Sequence, residues 1–514
     1  MDDAAGPRHR TVLRVAAAAF LGALHTPAYA DPQRLWPLSV LALAALVALL
    51  RPSTPGRAAW IGLAFGSGWL GAGVWWLFVS MHRYGGLPAW MAAAAVAALA
   101  VALSLYLALA CAAWARWRPG GAVADALLFA ACWLLAELAR GVLFSGFPWV
   151  ASGYALVDAP LAALAPWVGV YGMGAVLACA AALLGGLGGR TGRTRWAGLL
   201  GAAALLLAPA ALSGLPFTQP AGQISVSLLQ TDVAQDEKFT AARMPGLLAA
   251  LGAQLAGARG QLVVAPETAV PLLPEQLDAI APGWWAEHVE PIARSGRAAL
   301  VGVPLGDFER GYTNSVAGVH AGASYRYDKH HLVPFGEFIP PGFRWFTERM
   351  RIPLGDFARG PLRAPSFSAL GQRFGPNVCY EDLFGEELAA RFGDPARAPT
   401  VLVNLSNIAW FGDTVALPQH LHITRMRTLE LERPMLRATN TGVTAIVDHR
   451  ARVVAALPPL RPGVLEGEVQ GRQGVTPYAR WAGALGLWPL ALAAVATIVL
   501  VQLAARRAGR RPAP

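Results

Sequence analysis

Lysine is almost missing from this chain. Its 514 residues include two, Lys238 and Lys329, against forty arginines. A protein that meets nearly every need for a cation with arginine keeps lysine where a compact charge, or one able to give up its proton, is required. Cysteine is also scarce. There are four, and Cys111, Cys132 and Cys179 lie in long apolar runs. Only Cys379 has polar surroundings, in Asn377-Val-Cys-Tyr-Glu-Asp382. One thiol of that kind excludes a disulfide framework. It is either a small buried hydrophobe or a nucleophile awaiting a base. Charge as a whole is thin, 14% of residues against 55% hydrophobic, which excludes a single ordinary soluble domain.

The apolar residues gather in two blocks, 1–213 and 481–505, around a mixed-charge stretch at 214–480. That stretch holds 25 basic and 25 acidic residues, so the net charge of +11 comes from the 17 arginines and 6 acids elsewhere. The basic balance is therefore a topology signal and no sign of a nucleic-acid partner. Candidate spans lie near 12–28, 36–50, 59–80, 89–114, 122–143, 160–188, 195–213 and 483–505. Arginines favour alternate loops: Arg8, Arg10, Arg51, Arg57, Arg116, Arg118, Arg190, Arg193, Arg195, Arg506, Arg507, Arg510 and Arg511 on one side, only Arg34, Arg83 and Arg140 on the other. Positive charge stays in the cytoplasm. The expected layout is a membrane domain of about seven helices at 1–213, an extracytoplasmic domain at 214–480, and a last span with a basic cytoplasmic tail at 481–514. Arg8 to Arg14, an Ala/Leu run and Ala28-Tyr-Ala30 resemble a cleavable signal peptide, but Tyr29 and the adjacent second span argue for a retained helix.

Within 214–480, short β-rich runs alternate with helical ones. Strands are expected at Ile224–Leu229, Gln261–Val264, Ala299–Val303, Asn314–Val319, Ser324–Tyr327, Arg373–Cys379, Thr400–Leu405, Met435–Ala438 and Thr444–Asp448. Helices are expected at Ala241–Ala256, Pro274–Arg294, Gly385–Arg391 and Pro418–Glu432. Such alternation implies a layered α/β fold, whose strand C-termini are a common place for chemistry. Three of these ends carry unusual polar groups: Glu267, Lys329 and Cys379. The Pro/Gly-broken segment Phe338–Gly360, with its aromatics and arginines, reads either as packing against the domain body or as a lid or membrane-facing loop.

A thiol attacks as thiolate and needs a proton acceptor and a cation. Glu267, in Pro266-Glu-Thr268, can be the acceptor. Lys329 can steady the thiolate and then the oxyanion of a tetrahedral intermediate. Glu337, beyond a Pro and a Gly, can orient Lys329 or supply a second carboxylate. Glu381 points to the side of Cys379 if the strand continues, and the Tyr380 backbone N–H can serve as a second oxyanion donor. His330, His331, His420 and His422 lack a metal-ligand pattern, so no metal is expected.

These segments resemble the nitrilase superfamily, whose Glu–Lys–Cys triad matches Glu267, Lys329 and Cys379 in order and context. The resemblance is closer to its membrane-embedded branch, the apolipoprotein N-acyltransferases, and covers essentially the whole chain. It is carried by Trp133-Leu-Leu-Ala-Glu137, Gly146-Phe-Pro-Trp149, Pro266-Glu-Thr-Ala269, Lys329-His-His-Leu-Val-Pro-Phe-Gly-Glu337, Cys379-Tyr-Glu381, Asn404-Leu-Ser-Asn-Ile-Ala-Trp-Phe-Gly412, Gln419-His420 and Arg425-Met-Arg427. Two positions depart. Asn407-Ile408-Ala-Trp410 stands where Asn-Asp-Ala-Trp is expected, and Phe239 stands where the family often has Trp. The resemblance implies an αββα sandwich in the periplasm, anchored in the inner membrane, and no cofactor. It implies transfer of an acyl chain from a phospholipid, through a thioester on Cys379, to the S-diacylglyceryl-cysteine of an apolipoprotein. Phe239 and Trp410 would then contact substrate, and a monomer suffices. One rival keeps the triad but lets water attack, giving a membrane-tethered amidase or nitrilase; seven preceding spans argue against it. Another is a transporter with a binding domain. Ionisable residues within spans would support that, and Glu137 and Arg140, one turn apart, are the main ones.

Overall fold

The computed structural model describes residues 7–188, 190–340, 342 and 356–509. The chain divides into two units, one of residues 1–78, 87–215 and 485–514, the other of 79–86 and 216–484.

In the first unit, proline opens helix after helix, at Pro32–Leu50 and Pro55–Gly73 among others, because its missing N–H costs nothing at a helix start. Seven described helices are long and apolar enough to cross a membrane, or eight if the bent pair Pro55–Gly73 and Leu77–Tyr84 forms one span. Small residues bring helices close. A Cβ on Gly22 would lie 1.9 Å from the Phe65 carbonyl oxygen, and one on Gly68 would lie 1.9 Å from that of Ala19. Without a hydrophobic drive between helices in lipid, close backbone approach is a main source of adhesion. The Glu137–Arg140 pair is buried at 3.4 Å. Glu137 also accepts from the Ser152 N–H and hydroxyl, and Arg140 donates to the carbonyls of Phe147 and Trp149. The two charges thus tie a helix to the Gly146-Phe-Pro-Trp149 run, and this satisfied arrangement favours a structural role.

Among the described residues the second unit has twelve strands: β1 Thr218–Gln230, β2 Leu262–Ala265, β3 Ala298–Asp307, β4 Gly311–His320, β5 Ala323–Asp328, β6 Phe367–Ala369, β7 Gln372–Val378, β8 Val401–Ser406, β9 Met435–Thr439, β10 Ala445–Val447, β11 Val453–Ala456 and β12 Gly463–Gly474. They form two six-stranded sheets, ordered β12-β1-β2-β3-β4-β5 and β11-β10-β9-β8-β7-β6. The central pairs β1/β2, β2/β3, β7/β8 and β8/β9 are parallel, and the edges are antiparallel. Strand parity decides the layers. Val226, Leu228, Leu262, Val264, Leu300, Val401, Val403 and Leu405 fill the space between the sheets. Val263, Ala265, Val301 and Val303 face the other way, onto the helix Met244–Gly257. Leu402 and Met435 pack on the opposite side, under Leu388 and Tyr478. The result is a helix–sheet–sheet–helix sandwich.

Three sequence expectations differ from the structure. Pro274–Arg294 is three short helices, because Pro282-Gly283 breaks the first, with Gly283 at φ 76°, and Pro291 restarts the last. The strands β6, β11 and β12 are additions to the expected set. β12 is rich in glycine and charge, and its place at a sheet edge, paired antiparallel to β1, overrides its weak strand propensity. The strand expected through Cys379 ends at Val378. Most of the Phe338–Gly360 segment lies outside the described residues.

Candidate active site

Glu267 follows β2 on a tight turn, with Thr268 at φ 46°. The turn lies on β3 at Gly302, where a Cβ would be 2.2 Å from the Pro266 carbonyl oxygen and 2.8 Å from Glu267 Cα. Only glycine leaves that room. Lys329 follows β5, its N–H donating to the Asn314 carbonyl at 2.9 Å. Cys379 opens a single 3₁₀ turn, Cys379–Leu383, directly after β7, at φ 51°. A positive φ is costly for a non-glycine residue and persists only where its surroundings enforce it. Here Asn404 Nδ2 donates to the Cys379 carbonyl at 3.3 Å and to Asn377 Oδ1 at 2.6 Å.

The three strand ends converge. Lys329 Nζ lies 2.9 Å from Glu337 Oε1 and 3.6 Å from Glu267 Oε1. Asn314 Nδ2 donates to Glu267 Oε1 at 2.7 Å and to Glu337 Oε1 at 2.8 Å. The Asn407 backbone N–H donates to the second Glu267 oxygen at 2.7 Å. Val333 N–H donates to Glu337 Oε2 at 2.9 Å. Glu267, Lys329 and Glu337 are buried, whereas Cys379 is partly exposed. Cys379 is thus the most exposed of the four residues.

Electrostatics divide the roles. Burial first, and then the Glu267 charge, push the Cys379 thiol up, while Lys329 and the Asn407 N–H pull it back. The thiol rests protonated, with a carboxylate beside it to take the proton. Burial alone would lower Lys329, but the Glu337 and Glu267 carboxylates outweigh it and hold the ammonium charged. That is the state needed to face a developing oxyanion.

Glu381 has a different place from the one strand parity implied. Because the chain turns at Cys379, its carboxylate folds back, accepting from the Val378 N–H at 2.6 Å, the Tyr327 hydroxyl at 2.8 Å and the backbone N–H groups of His330 and His331. It ties the Cys379 turn to the Lys329 loop. Burial pushes its carboxyl up and the Lys329 charge draws it down. Tyr380 is buried, with its ring near His331 and Phe384. Phe239 is 58% exposed and Trp410 is 39% exposed, with Trp410 edge-on to Tyr84 at 5.8 Å.

The histidines bond locally. His330 meets the Gly360 carbonyl, and His331 meets Glu387. Beneath Cys379, Arg437 can only donate to His420 Nδ1, so His420 Nε2 carries the proton and gives it to Asp382 at 3.0 Å. Thr424 links Arg437 and Asp382. Among the described residues no group of three or more His, Cys, Asp and Glu could hold a metal ion. Sequence reasoning missed Asn314, the Asn407 N–H and this buried network. An asparagine in a strand and a backbone donor carry no signal until the sheets bring them together.

A thiol, a carboxylate and a lysine gathered at the strand ends of an αββα sandwich define the carbon–nitrogen hydrolase class of domain. Residues 226–478 match the carbon-nitrogen hydrolase family, and residues 21–183 match the apolipoprotein N-acyltransferase N-terminal domain. The chain is 52% identical to the apolipoprotein N-acyltransferase of Verminephrobacter eiseniae over 88% of its own length and 89% of that protein. It is 48% identical to the one from Ralstonia nicotianae, over 96% and 94%. The chain belongs to the apolipoprotein N-acyltransferase family and is an acyltransferase.

Proposed function

We propose that the chain transfers an acyl chain from a phospholipid to the α-amine of an apolipoprotein's S-diacylglyceryl-cysteine, with Cys379 as nucleophile, Glu267 as proton carrier and Lys329 as oxyanion partner. The observation that carries the reading is the convergence of Lys329 Nζ on Glu267 Oε1 at 3.6 Å and Glu337 Oε1 at 2.9 Å beside the partly exposed thiol. Glu267 takes the Cys379 proton, and the thiolate forms a C–S bond to the ester carbonyl. As the tetrahedral intermediate collapses, the ester C–O bond breaks and Glu267 protonates the departing lysophospholipid alkoxide. The amine then attacks the thioester. Glu267 takes its proton, the C–S bond breaks, and the proton returns to sulfur. Lys329, and the Tyr380 N–H one residue past the nucleophile, face the oxyanion in both halves. Glu337 and Glu381 hold Lys329 and the nucleophile turn, and Phe239 and Trp410 contact the acyl chains.

The membrane placement belongs to the same reading. Thirteen arginines on one set of loops against three on the other support both termini in the cytoplasm and a catalytic domain, 214–480, in the periplasm, with eight spans in the inner membrane. Two lipid-anchored substrates in one leaflet explain why the catalytic domain carries its own spans. One active site holds every group the reaction uses, so a monomer is sufficient.

The test uses the purified full-length chain in detergent, a phospholipid with a labelled acyl chain, and a synthetic peptide beginning with S-diacylglyceryl-cysteine. The expected products are a labelled N-acyl peptide and lysophospholipid. Label released only as free fatty acid, with the peptide unchanged, contradicts transfer and indicates hydrolysis.

A further inference from the structure

The proposed reaction uses one of the two lysines in the chain. The other, Lys238, is buried in the same place. It sits in the turn 235–239, between β1 and the helix Met244–Gly257, and is 3% exposed, while its neighbours Asp236, Glu237 and Phe239 face outward. Its Nζ donates to the Glu267 backbone carbonyl at 2.9 Å. Among the described residues that is the one hydrogen bond its side chain makes, so two of the three ammonium N–H groups are left for the site. The same turn grips Glu267 a second way. Gln235 Oε1 accepts from Asn407 Nδ2 at 2.9 Å, and the Asn407 N–H holds Glu267 Oε2 at 2.7 Å.

We propose that Lys238 is a positioning residue for acyl transfer: it fixes the Glu267 main chain and places a second, titratable cation beside Cys379, so that Glu267 stands between the only two lysines of the protein. This rests on the assignment of Glu267, Lys329 and Cys379 above. Three observations support it independently of that chemistry. A buried ammonium with one hydrogen bond is expensive, and a methionine would fill the space at less cost. Forty of forty-two cations are arginine, yet both lysines meet Glu267. Among the described residues, the titratable groups that act electrostatically on the Lys238 ammonium are Glu267, after β2, and Cys379, after β7.

Burial lowers Lys238 to about 8, with the Glu267 charge the larger influence opposing the fall. Below that pH the thiolate forms next to two cations; above it, next to Lys329 alone. The amine, charged or neutral, still donates to the Glu267 carbonyl. Loss of the proton therefore removes the charge without releasing the clamp. Acylation of Cys379 should slow as pH rises through about 8. An arginine at this position keeps its charge and should remove the descending limb. A methionine should be slow at every pH, by roughly 10-fold for each unit by which the thiol's ionisation is displaced.

The experiment is single-turnover acylation of the full-length chain in mixed micelles of detergent and phosphatidylethanolamine, quenched and read by mass spectrometry from pH 6 to 9.5. Wild type is compared with Lys238→Arg, Lys238→Met and Cys379→Ser. The proposal expects a wild-type limb near pH 8 that is lost in Lys238→Arg and a flat, slow profile in Lys238→Met. It is overturned if Lys238→Arg keeps the wild-type limb, if wild type shows no limb, or if Lys238→Met acylates at the wild-type rate. Should Lys238→Met not accumulate folded, the Lys238→Arg profile decides alone. Failure of the underlying assignment looks different: no thiol-labile acyl group forms on Cys379 in wild type at any pH.

Discussion

Lys329 and Glu337 lie eight residues apart in sequence and meet at 2.9 Å, with the lysine 1% exposed. The intervening turn, Pro334 to Gly336, brings the carboxylate back, and the Val333 N–H and Asn314 amide hold its two oxygens. Glu337→Gln keeps the shape and removes the charge. Lys329 then faces burial with Glu267 as its nearest remaining carboxylate. The expected result is a loss of roughly 3 kcal/mol of stability, the scale for breaking a buried pair. Acylation should fall roughly 100-fold, the scale for disturbing one oxyanion partner. Apparent melting in detergent and single-turnover acylation check the two effects separately.

Gly302 tests how closely Glu267 must be placed. A Cβ there would meet the Pro266 carbonyl oxygen at 2.2 Å, so Gly302→Ala must push the Glu267 turn away from β3. A displacement of about 1 Å costs on the order of 100-fold in rate. The variant should keep its far-ultraviolet circular dichroism and lose acylation. A wild-type rate would mean that the turn tolerates the shift and that Glu267 does not act from the position described.

Asn314 spans two carboxylates with one amide nitrogen. Asn314→Asp replaces that donor with a third negative charge between Glu267 and Glu337. Activity at neutral pH should drop by roughly 100-fold. It should recover partly on acidification, because a protonated aspartic acid can again donate to one of the two. Rates at pH 5.5 and 8 measure this, and a variant that loses activity in parallel with wild type at both values argues against the bridging role.

His420 makes the fold sensitive to acid. Burial first, and the Arg437 charge second, push it below its ordinary value of 6.5, with Asp382 opposing. The unfolded chain binds a proton there below about pH 6.5, and the folded chain takes it up only at lower pH. Stability therefore rises with pH below that value and is lost on acidification. Wild type should lose more apparent melting temperature between pH 7.5 and 5.5 than His420→Gln does. Parallel curves would assign the acid sensitivity elsewhere.

Much of the layered architecture is readable in the sequence. Val226, Leu228, Leu262 and Val264 alternate with residues of the outer face, and parity alone sorts them. Glu267, Lys329 and Cys379 are readable as polar residues at strand ends, because β-rich runs stop shortly before the first two and reach the third. The path of the chain beyond those ends is hidden. Val378 and Cys379 differ by a backbone reversal that no side chain announces, and it sends Glu381 back onto Tyr327 and the Lys329 loop. Asn314 and the Asn407 N–H acquire their roles only when β4 and the segment after β8 meet around Glu267. The edge strand β12 is set by its pairing with β1, which glycine and charge conceal.

The mechanism stands or falls on Cys379 carrying the acyl chain. The decisive measurement is mass spectrometry of the Cys379 peptide from full-length chain purified out of membranes, with Cys379→Ser alongside. The expected finding is a thiol-labile increment of one fatty acyl chain on the wild-type peptide, absent from the mutant and discharged by a diacylglyceryl-cysteine peptide. An unmodified thiol, even after incubation with mixed phospholipids, would refute that step.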